Sequence, residues 1–327
     1  MLLLRSTQLL AATPLQLNSA LVPSARPRGG RVALVSTSPF LHDRDEPVAW
    51  LFNATGWSSN ESTAFTYLKA HQPATDASSM SDDVLQTGVR LAMQARQATP
   101  WAQAVPWDIF VENVLPYAVL HEARDNWRPL FYEMFMPLVA NASSTTEAAL
   151  RLNAHMWDMI GVKYEERLSP HITSPLEAIA YKRASCTGLS VLLVDACRAV
   201  GVPARMAAVG AWAPPAVGNH NWVEIWVDDH WEFTGAFDGD RHMLNKTWFT
   251  SQVKAQDASV AEQRVYAITW QLEAGGLPLP EACVSTGGSG QINAVDRTAY
   301  YNQVVPPGDD YKEGTEGGIG GDVSSSR

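Results

Sequence analysis

The segment "YKRASCTGLSVLLVDACRAVGVPAR" (Tyr181–Arg205) contains a cysteine at the point where a basic, polar turn gives way to an apolar run. The signals for a helix here are nearly complete. Ser185 can cap the first turn, the run from Leu189 to Val200 is apolar, and Gly201 stands where a residue that ends a helix belongs. The segment therefore predicts a buried helix whose first turn contains Cys186.

The position of Cys186 is typical of a nucleophile. The unpaired backbone N–H groups of a first helical turn and the positive end of the helix dipole stabilise a thiolate, so we expect the pKa of Cys186 to fall from about 8.5 toward neutrality. Lys182 and Arg183, immediately upstream, would add to this effect. Cys197 lies further along the same apolar run, where burial favours the neutral thiol, and we interpret it as a packing residue.

Composition and charge limit the classes of function. The chain has 327 residues, of which 46% are hydrophobic and 18% charged, and this is enough for a sizeable core in a soluble globular protein. The net charge of -10 and the lack of a dense Lys/Arg cluster disfavour a nucleic-acid partner. No run of eighteen apolar residues is present, so no membrane span is predicted.

Cysteine usage disfavours disulfide and metal chemistry. The chain has three cysteines, Cys186, Cys197 and Cys283, which is an odd number without C-x-x-C spacing. A metal site built from Cys186, His220 and His242 is also disfavoured, because no pair of them has the spacing of ligands. We therefore expect no metal and no cofactor.

Residues 1–42 have the composition of a targeting segment rather than of a folded region. Arginines are scattered through a stretch rich in Ser, Thr, Ala and Leu, and the first acidic residue is Asp43. This pattern predicts an organellar transit peptide, plastid or mitochondrial. A secretory signal is the alternative, since the chain contains four N-x-S/T sequons, and a disordered N-terminus without a targeting role is a third interpretation.

The rest of the chain divides into an irregular lead-in, a helical lead-in region, a core and a disordered tail: residues 43–79, 80–165, 166–275 and 284–327. The lead-in has turn chemistry and few apolar periods, and the tail is rich in Gly, Ser and Asp. In the helical region, Ser81 and Ser144 are the expected N-caps. A further helical stretch is predicted over residues 247–270.

Downstream of the cysteine segment the apolar pattern changes to strict alternation. "RMAAVGAW", "HNWVEIWV" and "HWEFTGAF" predict strands, the last two joined into a hairpin by Asp228–Asp229. In "HNWVEIWV" the set that includes Val223 and Ile225 forms a core face. The other set, His220, Trp222, Glu224 and Trp226, is aromatic and ionisable, and we expect it to line the rim of a cleft.

His220 is the best candidate for the base that a thiol nucleophile needs. It begins a strand directly after the flexible "AVGNHN" loop, next to the core that the cysteine helix must cover. The base in turn needs an acceptor on its other ring nitrogen. Since the far end of the second hairpin strand returns beside the start of the first, Asp238 is favoured over Glu232, with Asp240 as the substitute.

The segments "SCTGLSVLLVDACRAVGVPAR", "HNWVEIW" and "WEFTGAFDGD" together resemble the core of the transglutaminase-like superfamily. Cys186, the "GVPAR" end of the helix and the His220-x-Trp222-x-Glu224 pattern occur in order, at spacing similar to that of the family. A helical block upstream extends the likeness over roughly residues 81–270. One position departs from the family pattern: the residue four after the hairpin tryptophan is commonly Asp, and here it is Gly235.

The resemblance implies an α+β, papain-like fold with a helical N-terminal half. It implies that Cys186 attacks an amide carbonyl of a peptide or protein substrate, that His220 passes the proton, and that Asp238 holds the imidazole from a shifted register. The backbone N–H of Cys186 would help to bind the oxyanion. We favour hydrolysis over transamidation, since no D-x-D-x-D-G calcium loop occurs. The alternative is a catalytically inactive module that binds a peptide or glycan.

Overall fold

The fold is α+β, with a helical N-terminal part and an antiparallel sheet, as predicted. The computed structural model describes residues 56–166, 168, 171–271, 276–284 and 292–304. Before the sheet, the helices are α1 Ser59–Ala70, α2 Asp82–Ala98, α3 Pro100–Ala104, α4 Trp107–Asn113, α5 Arg128–Val139, α6 Thr145–Ile160, α7 Pro175–Tyr181 and α8 Cys186–Ala199. Two short helices come later, α9 Thr250–Lys254 and α10 Thr298–Gln303. None of the described helices is long and apolar enough to cross a membrane.

The strands form two sheets. They are β1 Lys163–Tyr164, β2 Arg183–Ala184, β3 Ala204–Val209, β4 His220–Val227, β5 His230–Thr234, β6 Val265–Thr269, β7 Leu277–Pro278 and β8 Asn293–Asp296. The main sheet has six antiparallel strands in the order β5-β4-β3-β6-β8-β7, whereas β1 and β2 form a separate parallel pair. The predicted hairpin is present as β4 and β5, with Val227 opposite His230 across the turn.

Helix α8 is the central element of the core. Every residue from Thr187 to Ala199 is buried. One side of α8 packs on the helical N-terminal part and the other on the sheet, so that side chains of α5, α6, α8, β3 and β4 belong to one apolar cluster. The predicted end of the helix is also present, since Gly201 has a φ of 88° and follows the last helical turn.

The helix starts agree with the predicted caps. Ser81, Ser144 and Ser185 are the N-caps of α2, α6 and α8, and in each helix the serine hydroxyl accepts a hydrogen bond from a backbone N–H of the first turn. These caps satisfy donors that a helix leaves unpaired at its start. The start of α8, and with it the place of Cys186, therefore follows from a local signal in the sequence.

Two predictions of irregular structure are wrong. Helix α1 lies within the segment expected to be irregular, and it begins with a capping box in which Ser58 and Glu61 bond to each other's backbone N–H groups. Part of the expected disordered tail, residues 292–304, instead adds β8 and α10 to the core. There Tyr301 is buried, because its ring packs against Trp222 and its hydroxyl bonds to Glu224. Residues 1–42, with the predicted targeting segment, and residues 305–327 lie outside the described residues.

The prediction of a helical stretch between the hairpin and the tail is also wrong. Over residues 247–270 the expected helix is reduced to the short α9, and the segment ends in β6, a central strand of the main sheet. Every residue of β6 is buried, so it lacks the polar side that makes a strand recognisable by alternation.

The face of β4 that carries His220 is not the rim of a cleft. Trp222 and Glu224 on this face are fully buried, because a second apolar cluster from α9, α10 and neighbouring strands covers it. Glu224 is kept charged there by Arg205 and Arg297, whose guanidinium groups lie 2.7 Å and 3.0 Å from its carboxylate. Both faces of β4 are therefore core over most of its length, and Trp226, near its end, is the partly exposed residue of the strand.

Candidate active site

Cys186 occupies the first turn of α8 and faces the start of β4. Ser185 fixes this turn, since its hydroxyl accepts from the Gly188 N–H at 3.3 Å and donates to the His171 carbonyl at 2.6 Å. The Cys186 Sγ lies 3.6 Å from Asn221 Oδ1. Among the three cysteines Cys186 alone is partly exposed, whereas Cys197 and Cys283 are buried.

The electrostatics of Cys186 differ from the expectation of a lowered pKa. Burial raises the pKa of the Cys186 thiol, and hydrogen bonds from the Asn221 backbone and from Thr187 oppose this effect only in part. Loss of solvation disfavours the thiolate more strongly than the donors of the first turn favour it. In the free protein at neutral pH, Cys186 is therefore a neutral thiol.

His220 begins β4 and is enclosed by aromatic rings. The ring centroids of Trp248 and Phe249 lie 5.1 Å and 4.8 Å from that of the imidazole, and Trp222 stacks nearby. Burial lowers the pKa of His220 to about 3, so the imidazole is neutral at physiological pH. Its Nε2 is buried without a hydrogen-bond partner in the described part of the chain.

Asp238 is the carboxylate that the structure brings to His220. Asp238 Oδ2 lies 3.9 Å from His220 Nε2, which is longer than a hydrogen bond. The substitute candidate, Asp240, is engaged within its own loop, since it accepts the backbone N–H groups of His242 and Met243 and lies 3.2 Å from Lys246. Of these two candidates, Asp238 is the one whose carboxylate lies near His220.

The antiparallel hairpin explains why Asp238 reaches His220. Strand β5 ends at Thr234, which lies opposite Val223 of β4, and the chain then continues past the start of β4. Residues that follow β5 therefore return to the end of the sheet where His220 begins its strand.

Asn221 is a site residue that was not among the candidates predicted from the sequence. Its Oδ1 accepts from the Thr187 hydroxyl at 2.9 Å and contacts the Cys186 Sγ, and its Nδ2 donates to the Cys283 carbonyl at 2.9 Å. The signal was present in the sequence, because Asn221 is the one polar member of the apolar set of β4. A buried amide among apolar neighbours needs polar partners, and here these partners surround the thiol.

Tyr164 also belongs to the surroundings of the thiol. Strand β1 pairs in parallel with β2, placing Tyr164 beside Ala184, just before the cap of α8. Burial raises the pKa of Tyr164 to about 12, and the negative charges of Glu166 and Asp238 add to the shift. Its hydroxyl thus stays protonated over the physiological range.

The arrangement suits thiol chemistry on a carbonyl. It provides a sulfur at a helix start, a neutral imidazole at the start of the neighbouring strand and a carboxylate near that imidazole. Within the described residues, no group of three or more His, Cys, Asp or Glu side chains could hold a metal ion.

The chain is similar to a known family over part of its length. Residues 134–234 match the sequence model of the transglutaminase-like superfamily. The match includes Cys186 and His220 and ends at the last residue of β5, before Asp238. This part of the chain is therefore similar to the core of the transglutaminase-like superfamily.

Individual proteins give weaker likenesses. No curated protein matches the chain. A solved structure from Cytophaga hutchinsonii, provisionally named a cysteine protease, is 19% identical with a TM-score of 0.31. The aligned part covers 44% of this chain and 47% of that structure's chain.

Proposed function

We propose that the protein is a cysteine hydrolase that cleaves an amide bond in a peptide or protein. The observation that carries this proposal is the meeting of two elements: the first turn of α8, with Cys186, lies against the start of β4, where His220 faces Asp238. The three residues come from different parts of the chain, and their chemistry is that of a nucleophile, a base and an orienting acid.

The reaction begins with proton transfer from the Cys186 thiol to the His220 imidazole. The sulfur attacks the amide carbonyl, and the oxyanion is stabilised by backbone N–H groups at the start of α8, including that of Cys186. The carbon–nitrogen bond then breaks, the imidazolium donates its proton to the leaving amine, and an acyl thioester remains on Cys186. Water, deprotonated by His220, attacks the thioester and releases the acid, and the proton returns to the sulfur.

The free protein is a resting state of this cycle. Both the thiol and the imidazole are neutral, since burial disfavours the charged form of each. Forming the thiolate–imidazolium pair requires stabilisation of the imidazolium, and the nearest carboxylate is Asp238 at 3.9 Å. Catalytic hydrogen bonds that are long in a free enzyme often tighten when substrate binds. A movement of Asp238 toward His220 by about 1 Å would form this bond.

The alternative function is an inactive module that binds a peptide or glycan. It is favoured by two specific observations, the raised pKa of Cys186 and the gap between His220 and Asp238.

In the proposed enzyme, water and an amine are both possible acceptors of the acyl group on Cys186. We propose water, because the sequence lacks a calcium-binding loop.

The proposal is tested with wild type and Cys186→Ala on a library of peptides and isopeptides, with products identified by mass spectrometry. We expect wild type to release free acid and amine, and Cys186→Ala to lose at least about 1,000-fold in activity because no nucleophile remains. Cys197→Ala is the matched control, since this thiol is fully buried in α8 and distant in sequence from the first turn. Amine-linked products would indicate transamidation, and equal activity of wild type and Cys186→Ala would refute the nucleophile.

Alkylation by iodoacetamide separates the enzyme from the inactive module. Cys186 should be modified much faster than Cys197 and Cys283, because it alone is partly exposed. In the free protein its rate should rise with pH to a midpoint above the ordinary thiol value, as its pKa is raised by burial. A bound substrate analogue that closes the His220–Asp238 gap should move this midpoint down. Equally slow labelling of the three thiols in both states would favour the module.

A further inference from the structure

Asp238 stands at a position that strand geometry does not fix. It follows β5, which ends at Thr234, and lies beyond Gly235, where the resemblance places the acid. A residue in a regular strand is held in register by the sheet, whereas a residue in a loop needs side-chain contacts to hold it. Side-chain contacts must therefore keep the Asp238 carboxylate beside His220.

The loop backbone is held from the helical part. Asn153 of α6 is buried, and its Nδ2 donates to the Gly235 carbonyl at 2.8 Å. Its Oδ1 accepts the Phe237 N–H at 3.2 Å. Phe237 has a φ of 77°, a backbone conformation that a bulky residue rarely adopts, so these contacts maintain an unfavourable turn immediately before Asp238.

The carboxylate itself is held by Trp248. The indole Nε1 donates to Asp238 Oδ2 at 2.6 Å, and this is the same oxygen that faces His220 Nε2. The Trp248 ring also lies 5.1 Å from the His220 ring and 5.4 Å from that of Phe249, measured between centroids. One side chain therefore contacts both members of the proposed acid–base pair.

We propose that Trp248 is the positioning residue of Asp238, because its indole N–H holds Oδ2 toward His220. Asp238 lies beyond the end of β5, so the hydrogen bonds of the sheet do not fix its position, and the bond from Trp248 does so instead. The inference rests on the proposed function. A carboxylate oxygen has two lone pairs, so Asp238 Oδ2 can accept from Trp248 and, after a small movement, from His220 as well. A hydrogen bond from the Trp248 indole to the ionised carboxylate is stronger than one between neutral groups, and it limits the orientations of the carboxylate.

The kinetic test compares Trp248→Phe, which removes the donor and keeps a ring, with Trp248→His, which keeps a ring N–H. We expect Trp248→Phe to lower kcat by about 10- to 100-fold with KM little changed, since orienting the base is a part of a general-base effect of about 100- to 10,000-fold. Trp248→His should recover most of the loss. Trp226→Phe is the control, because within the described residues the Trp226 indole N–H has no hydrogen-bond partner. A Trp248→Phe variant as active as wild type, or more active, would overturn the proposal.

A double-mutant cycle separates positioning from general support of the fold. If Trp248 acts through Asp238, Trp248→Phe should have almost no further effect on kcat in an Asp238→Asn background. A purely structural tryptophan would lower activity by the same factor in both backgrounds, and that result would also contradict the inference.

Nitrogen NMR of the His220 ring gives a readout that does not depend on turnover. With Asp238 facing Nε2, the proton is expected on Nε2, and Trp248→Phe and Asp238→Asn should shift this tautomer balance in the same direction, while Trp226→Phe leaves it unchanged. If Cys186→Ala were as active as wild type, the proposed function would fail and this measurement would still decide the role of Trp248. An unchanged His220 tautomer in Trp248→Phe would count against it.

Discussion

His220 makes the folded protein sensitive to acid, because burial lowers its pKa from 6.5 to about 3. Above pH 6.5 the imidazole is neutral in the folded and unfolded states, and it contributes no pH dependence. As the pH falls from 6.5 toward 3, the unfolded state takes up a proton that the folded state refuses, so the free energy of unfolding decreases. The limiting slope for one group is about 1.4 kcal/mol per pH unit.

The measurement is urea denaturation at a series of pH values for wild type and His220→Gln. Between pH 6.5 and 4 we expect the free energy of unfolding to fall less in the variant than in wild type, since the glutamine side chain does not titrate. His242→Gln is the control, because it makes the same chemical change at an exposed position. If the slopes of wild type and His220→Gln coincide, the folded His220 titrates near its ordinary pKa.

At the level of single elements, the start of α8 depends on one buried hydroxyl. Ser185 is completely buried, and it bonds to both the Gly188 N–H and the His171 carbonyl. Ser185→Ala leaves these two groups unpaired inside the protein, and we expect it to lower the free energy of unfolding by about 2 to 4 kcal/mol. It should also speed the alkylation of Cys186, because a first turn that loses its anchor exposes the thiol more often.

Ser81→Ala is the matched control for this element. Ser81 caps α2 by the same type of bond but is exposed, so water can replace its hydroxyl. We expect a loss of about 0.5 to 1 kcal/mol. Chemical denaturation measures both variants, and equal losses would show that the buried bond to His171 adds nothing to the cap.

Elements with local signals were predictable from the sequence, and elements defined by distant contacts were not. The caps at Ser81, Ser144 and Ser185 lie within a turn of the helices they start, and alternation marks β4 and β5. Strand β8 has no such signal, since its pairing with β6 and β7 makes it a strand. The same limit applies to the site. Cys186 and His220 could be predicted because each lies at the start of an element with a local signal. The bond from Trp248 to Asp238 could not, because it forms only when the loop after β5 is folded.

At the scale of the whole molecule, Arg128 joins the helical part to the end of the cysteine helix. It is buried at the start of α5, its Nη1 donates to the Arg198 carbonyl, and its Nη2 donates to the carbonyls of Val114, Leu115 and Pro116. One guanidinium therefore satisfies the last turn of α8 and the loop that follows α4. The fixed, planar set of donors in arginine suits such a cluster of carbonyls.

This arrangement predicts that the helical part and the core unfold together and that Arg128→Met weakens both. The variant removes a buried guanidinium that donates to four carbonyls, and we expect the free energy of unfolding to fall by at least about 3 kcal/mol. Arg151→Met is the matched control, because Arg151 pairs with Glu147 at the surface and such pairs contribute about 0 to 1 kcal/mol. Urea titrations followed by tryptophan fluorescence measure both changes. An Arg128→Met loss no larger than that of Arg151→Met would mean that the carbonyls find other donors, and that the helical part is not held to α8 through this residue.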